Sequence, residues 1–342
     1  MGGADQGQRR GGGVMPAARR LPSFAAIATL LALASSAAAQ DFPNRPMTMV
    51  VPFAAGGGND ILGRIIAPPL AEVLKQPVII ENVAGAGGMT GGNRVARAAP
   101  DGYTFGIGTL GSHAFNQTLY KKPLYNAATD FAPIAMVADQ PLLLIVRKDL
   151  PVANLQEFIA YVKANHAKMQ YGSAGVGSAT HLGCILLNAA IGVDLTHVPY
   201  RGGAPAMTDL IAGRIDYWCP YSTTAMSHII GETVKPIAML ATQRLAVLPN
   251  LPTAHEQGLA NFEASTWNAL FAPKGTPAPV VQKLHDAVVR AQAMAPVPQR
   301  LRELGMTPAA PDRRSPEFLA KFVQAEIDKW AAPIKAAGIS ID

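Results

Sequence analysis

The chain has 342 residues, 49% hydrophobic and only 15% charged, with 29 basic residues against 23 acidic ones. A net charge of +6 with no Lys/Arg run is too mild for a nucleic-acid-binding surface. A chain of this size is expected to form two lobes rather than one core.

The N-terminal stretch is set apart from the rest. Arg9, Arg10, Arg19 and Arg20 make a basic start, Phe24 to Ala34 is a short apolar run, and small residues follow up to Ala39. This order reads as a signal peptide over residues 1–39, cleaved after Ala39 to give an exported, periplasmic product. Met15 is an alternative start. The competing reading, a membrane anchor, needs a run of about 20 apolar residues, and this one is shorter. Removing the four arginines and Asp5 leaves 25 basic and 22 acidic residues.

From there strand-like and helix-like segments alternate. Met47 to Phe53 is a buried-strand run, Ile61 to Leu74 repeats apolar residues at helical spacing, and Val78 to Glu81 is a second strand. Gly87 to Ala98 predicts a helix and Tyr103 to Ile107 a strand, while residues 126–133 (NAATDFAP) read as a loop. Leu142 to Val146 is a strand, followed by a helix over Leu155 to Ala164 with Asn154 as its cap. The scheme repeats with a helix at Thr180 to Ile191, a strand at Leu195 to Tyr200, a helix at Pro205 to Ala212, and strands at Ile215 to Trp218 and Pro236 to Leu240. Trp267 to Phe271 is a further strand, and long helices at Pro279 to Met294 and Glu317 to Ala337 close the chain. Such alternation predicts an α/β fold with mostly parallel sheets, whose ligands sit at the carboxyl ends of strands.

Four glycine-rich loops follow strands: Ala54 to Asn59, Gly106 to His113, Gly172 to Ser178, and Tyr200 to Gly203. Glycines there let backbone approach a ligand, and their number points to a shared cleft. Gly106 to Gly111 (GIGTLG) also fits GxGxxG, so an exported dinucleotide-binding protein or enzyme is the alternative reading. A lone match is weak, and the first strand carries Gly56-Gly57-Gly58 instead. Catalytic and metal patterns are missing. Seven histidines are scattered without metal-ligand spacing, and Gly172-Ser173-Ala174-Gly175 is out of step with a nucleophile elbow. Neither an enzyme, a cofactor nor a metal site is expected. Cys184 and Cys219 are the two cysteines, and in an exported chain they read either as one disulfide or as two buried thiols.

The stretches Val51-Pro52-Phe53-Ala54-Ala55-Gly56-Gly57-Gly58-Asn59-Asp60, Ala99 to Thr104, Tyr171 to Ser178 with His181-Leu182, Val198 to Gly203, and Phe271 to Pro277 occur in one order along the chain. In this the sequence resembles the Bug family, the periplasmic solute receptors of tripartite tricarboxylate transporters. The resemblance implies a hinged, two-lobed binding protein of the type II (Venus-flytrap) class. Residues 42–143 plus 264–342 would form one lobe and 144–263 the other. It further implies a monomer that binds a small carboxylate and delivers it to membrane permease subunits, with no nucleic-acid partner. The grip would come from Phe53, Ala54, Ala55, Gly56, Gly57, Gly58, Asn59 and Asp60 in one lobe. Ser173, Gly175, Val176, Gly177 and Ser178 would close from the other. Thr109, Ser112 and the loop Tyr200, Arg201, Gly202 and Gly203 are implied wall residues. Trp218 and Tyr221 either line the far end of the pocket or simply pack the lobe. Asp60 is either a helix-start acceptor or the holder of a bound water, and Arg201 either pairs with a second carboxylate or sits in solvent.

Overall fold

The computed structural model describes residues 1–4, 42–336 and 340. The cleavage position after Ala39 lies outside the described residues, and the fold occupies the unit that begins at Pro43.

Along the first stretch run β1 (Met47–Val51), α1 (Gly58–Leu74), β2 (Val78–Asn82), α2 (Met89–Ala96) and β3 (Thr104–Thr109). A π-helical turn at Gly111–Phe115 leads through α3 (Asn116–Leu119) to β4 (Phe131–Pro141). Then come β5 (Leu143–Arg147), α4 (Leu155–Asn165), β6 (Gln170–Ser173), α5 (Ala179–Ile191) and β7 (Thr196–Pro199). They are followed by α6 (Gly203–Ile211), β8 (Tyr217–Trp218), α7 (Ser222–Ile230) and β9 (Val234–Met239). The chain finishes with β10 (Ser265–Pro273), α8 (Ala278–Ala293), α9 (Val297–Glu303), β11 (Thr307–Pro308) and α10 (Pro316–Ala336). At α4 the sequence signal is met in detail. Asn154 accepts the Glu157 N–H at 2.9 Å, and the Glu157 carboxylate accepts the Ala153 N–H at 2.7 Å, a reciprocal cap.

The strands form two sheets. The first has the order β11-β4-β10-β3-β1-β2 and the second β7-β6-β8-β5-β9. Both are mixed, which corrects the expectation of mostly parallel sheets. β1 pairs parallel with β2 and β3, but β10 is antiparallel to β3 and β4, and β11 to β4. In the second sheet β6 is parallel to β7 and β8, and β5 is antiparallel to β8 and β9. The cause is the crossing between sheets. Only Leu142 separates β4 from β5, so the chain leaves the first sheet along β4 and returns to it along β10 in the opposite direction. The two crossing strands lie side by side from Ser265↔Pro141 to Pro273↔Phe131. β4 is missed in the sequence, as are α7, α9 and β11; in β4 a strand buried on both faces carries no alternation, and Pro133 interrupts it.

Each face of the second sheet has its own core. Tyr217 and Trp218 are adjacent in β8, so the pleat sends them to opposite sides. Tyr217 packs with Phe158, Tyr171 and both cysteines, and Trp218 packs with Ile145, Met207 and Ala225. Cys184 on α5 and Cys219 just after β8 are bonded, with 5.5 Å between their Cα atoms and both fully buried. The bond closes a 35-residue separation. Replacing both cysteines with alanine should therefore lower the unfolding free energy by ~3–4 kcal/mol on the chain-entropy model. Urea titration of wild type and the double variant checks this, and equal midpoints would refute it.

Candidate functional site

The loop between β1 and α1 is shaped from behind by Asp60. Its carboxylate, almost fully buried, accepts from the Gly56 N–H (2.9 Å), from Arg64 Nε (2.9 Å) and from Asn82 Nδ2 (3.0 Å). Asn82 also donates to the Phe53 carbonyl at 3.0 Å. Burial opposes ionisation of Asp60, but the bonds from Arg64, Gly56 and Asn82 outweigh it and hold the carboxyl below the usual carboxylate range. The geometry thus fits the helix-start reading of Asp60, an acceptor in the first turn of α1 that takes a free loop N–H, and extends it: the carboxylate braces the loop. Gly56 takes a left-handed φ of +79° to bring its N–H to that brace. This N–H is consumed, as is that of Ala54, which donates across to the Arg201 carbonyl at 3.2 Å. Ala55 and Gly56 are exposed, whereas Gly57, Gly58 and Asn59 are buried.

The loop after β6 is similarly self-contained. Ala174 N–H donates to Thr180 Oγ1, Gly175 N–H to Ser173 Oγ, Gly177 N–H to His181 Nδ1, and Ser178 N–H to the Gly175 carbonyl. Ser178 caps α5 by accepting the His181 N–H at 3.2 Å. Of the candidate donors from Ala174 to Ser178, only Val176 N–H has no partner among the described residues. Behind the loop, Ser173 Oγ lies 2.6 Å from His197 Nε2, and the His181 and His197 rings stack at 4.0 Å. Burial pushes His181 down to about 3, with His197 adding to the effect, and pushes His197 down to about 4.

Open donors gather elsewhere. α1, α6 and α7 start at the N-caps Gly57, Gly202 and Tyr221, none of which supplies a capping side chain. Their first N–H groups have no intrahelical partner. The three starts touch one another. A Cβ on Gly57 would lie 3.3 Å from the Gly203 nitrogen, and one on Gly58 would lie 2.4 Å from Thr223 Oγ1 and 3.1 Å from Thr224 Oγ1. One on Gly203 would meet the Trp218 ring at 3.2 Å and Thr224 at 3.3 Å. Two buried polar atoms of this junction lack partners among the described residues, Trp218 Nε1 and Thr224 Oγ1, and buried Tyr221 Oη is faced only by the Asn59 side chain. Burial pushes the Tyr221 phenol up to about 12, with the Asn59 side chain opposing it. The chemistry on offer is a set of neutral donors around the positive ends of three helix dipoles.

Other expected residues fall outside this junction. Thr109 and Ser112 bond each other through Oγ1 and Oγ at 3.2 Å, and Ser112 Oγ also meets His113 Nδ1 at 2.9 Å. Neither has a hydroxyl to spare as a pocket wall. His113 is sealed against Phe271 and pushed down to about 3 by burial. Tyr200 donates its hydroxyl to Asp209 at 2.7 Å. Arg201 has an exposed side chain and makes no ion pair with a described residue. It rims a cavity of about 440 Å³ with Gly85, Gly87, Gly175, Val176 and Tyr200. A larger cavity, about 620 Å³, is lined by Arg313, Asp139, Lys329 and Glu326, whose charges already pair among themselves. The GIGTLG stretch is no phosphate loop. Gly106 and Gly108 lie inside β3, where a Cβ would strike Val95 and Phe271 respectively, so the motif serves packing. This overturns the dinucleotide alternative.

Thr223 and Thr224 were missed in the sequence, whereas Gly203 closes the Tyr200 to Gly203 loop expected at the cleft. The starts of α6 and α7 approach α1 from the second sheet, and Gly87 approaches Val176 and Gly177 so closely that a Cβ on it would sit 2.3 Å from the Val176 carbonyl oxygen. The loops of the two sheets are thus in contact, and the junction is closed.

Comparison with known proteins gives a consistent outcome. Residues 62–339 match the family described as tripartite tricarboxylate transporter family receptor. The periplasmic binding protein BugD is 39% identical, with a TM-score of 0.85 over 87% of this chain and 99% of its own. MatC from Rhodopseudomonas palustris, solved with bound malate, is 42% identical with a TM-score of 0.82 over 85% of this chain and 99% of its own. A second R. palustris protein, solved with adipate, is 36% identical with a TM-score of 0.84 over 88% and 99%.

His181 yields a pH test. Its folded pKa lies below the unfolded value near 6.5, so its stabilising contribution is complete above that value and is lost as pH falls toward about 3. At pH 5 the loss should reach ~2 kcal/mol. His181→Asn, whose Oδ1 can accept the Gly177 N–H, should flatten the fall in unfolding free energy between pH 7 and 5. An unchanged slope would refute the assignment.

Proposed function

The chain belongs to the tripartite tricarboxylate transporter receptor family, and from that premise we propose that it grips one carboxylate group of its solute where α1, α6 and α7 meet. Members of the family are periplasmic solute-binding receptors, not enzymes. The observation that carries the proposal is the convergence of three uncapped helix starts on the buried Trp218 Nε1, Tyr221 Oη and Thr224 Oγ1, of which Trp218 Nε1 and Thr224 Oγ1 have no partner among the described residues. Each helix start carries roughly half a positive charge, so bringing three together is unfavourable until an anion joins them. That energy couples ligand capture to closure. The two sheets are then the cores of two lobes, 42–143 plus 264–342 and 144–263, hinged along β4/β5 and β10.

Gly57, Gly58 and Asn59 supply the first-lobe side of the grip. Gly202 and Gly203 with Trp218, Tyr221, Thr223 and Thr224 supply the other. Ser173, Gly175, Gly177 and Ser178 form a pre-shaped rim that presses on Gly87 rather than a second cradle, and Arg201 marks the mouth. The protein is exported, acts as a monomer, and hands its solute to the permease subunits of its transporter. Malate and adipate, held by two relatives, define the class of short organic acids tested first.

Thermal shift with a library of mono-, di- and aromatic carboxylates should reveal ligands that raise the melting temperature. No response from any of them would overturn the proposal. Gly57→Val should crowd the Gly203 nitrogen and weaken every responding acid by about tenfold or more, while the ligand-free melting temperature stays within a few degrees. Unchanged affinity would place the grip elsewhere.

A further inference from the structure

Two amide side chains stand in the crossing strands, Gln140 in β4 and Asn268 in β10, both fully buried. Burying amides here is costly unless they are bonded. They are bonded, in a single direction. Thr223 Oγ1 donates to Gln140 Oε1 at 3.1 Å, Gln140 Nε2 donates to Asn268 Oδ1 at 2.7 Å, and Asn268 Nδ2 donates to Asn59 Oδ1 at 2.7 Å. The relay starts on α7 of the second sheet, passes through both crossing strands, and ends at the second residue of α1.

Resting on the carboxylate reading above, we infer that Gln140 and Asn268 are positioning residues that hold the Asn59 carboxamide with its NH2 group toward the ligand. Asn59 is 2% exposed, its oxygen is taken by Asn268, and its NH2 group is left to face the Tyr221 hydroxyl at the junction. The free end of the relay is therefore a donor. A carboxylate only accepts, whereas a carboxamide carries both donor and acceptor. With Asn59 fixed, a carboxamide group must either turn its own NH2 away or leave a buried donor pair facing each other. The relay thus selects an ionised acid over its amide without placing any charged side chain at the junction. It also ties that selection to Thr223, a residue of the opposite sheet.

Neutron diffraction from crystals of the deuterated protein distinguishes nitrogen from oxygen in each amide. The expected map has the ND2 group of Asn59 directed at the junction and its oxygen on Asn268; the reverse orientation overturns the inference. Calorimetric titration of malate and adipate against their diamides supplies the functional test. Gln140→Leu and Asn268→Leu are expected to lower the acid-to-amide affinity ratio by about tenfold, because Asn59 is then free to turn. Equal losses for acid and amide, the signature of a merely structural role, would also overturn it. If the wild type takes up neither acid, the carboxylate reading fails for these solutes while the neutron map still decides the relay.

Discussion

Three helix starts held within contact distance, with no capping side chain among them, are the constraint from which the remaining features follow. α1 brings Gly57 and Gly58, and α6 and α7 bring Gly203 and Thr223-Thr224. Backbones can meet this closely only where side chains are absent: a single Cβ on Gly58 would overlap Thr223 Oγ1. The glycine-rich loops are therefore a packing requirement of the junction before they are a ligand requirement. Because like ends of the dipoles face each other, an acceptor-only guest is what the junction lacks.

The two sides of the proposed grip are built differently. The loop after β6 spends its N–H groups on Thr180, Ser173, His181 and its own backbone, and two stacked histidines back it. It arrives at the interface already satisfied, so it contributes shape. The α1 side, by contrast, keeps the N–H groups of its first turn unspent and contributes charge. On the proposed function, a rigid satisfied rim and an unsatisfied centre would let different ligand bodies share one mode of attachment. The Cys184–Cys219 bond, sitting under β8, anchors the strand from which Trp218 projects to the junction.

Much of this was legible in the sequence, and the gaps have physical causes. The helical spacing of Ile61 to Leu74 and the apolar run of Met47 to Val51 announced their elements, because each buries one face. The mixed pairing was hidden because strand direction depends on where the chain re-enters a sheet, which in β10 is more than a hundred residues from β4. Gly56 to Gly58 marked one side of the junction, yet Gly56 turned out to serve Asp60. GSAGVGS looked equivalent because glycine spacing shows that backbone is exposed to approach, and cannot show whether its N–H groups are already bonded. Thr223 and Thr224 carry no motif at all. Gln140 and Asn268 carry no motif either, and they gain meaning only once their two strands are known to be neighbours.

Asp60 joins these threads. A carboxylate one residue beyond an anion grip would repel the guest if its charge faced the junction. Here Arg64, one turn along α1, neutralises it from the solvent side at 2.9 Å, and Asn82 and Gly56 fill its remaining acceptor positions. Its charge is thereby turned to a structural end. By drawing the Gly56 N–H backwards it forces the loop to turn at Gly56, and that turn delivers Gly57 and Gly58 forward into the helix start. The donor that Asp60 removes from the grip is offset by the two N–H groups it pushes into place. An acidic residue beside an anion site is thus compatible with anion binding when its hydrogen bonds are all made on the far side of the loop.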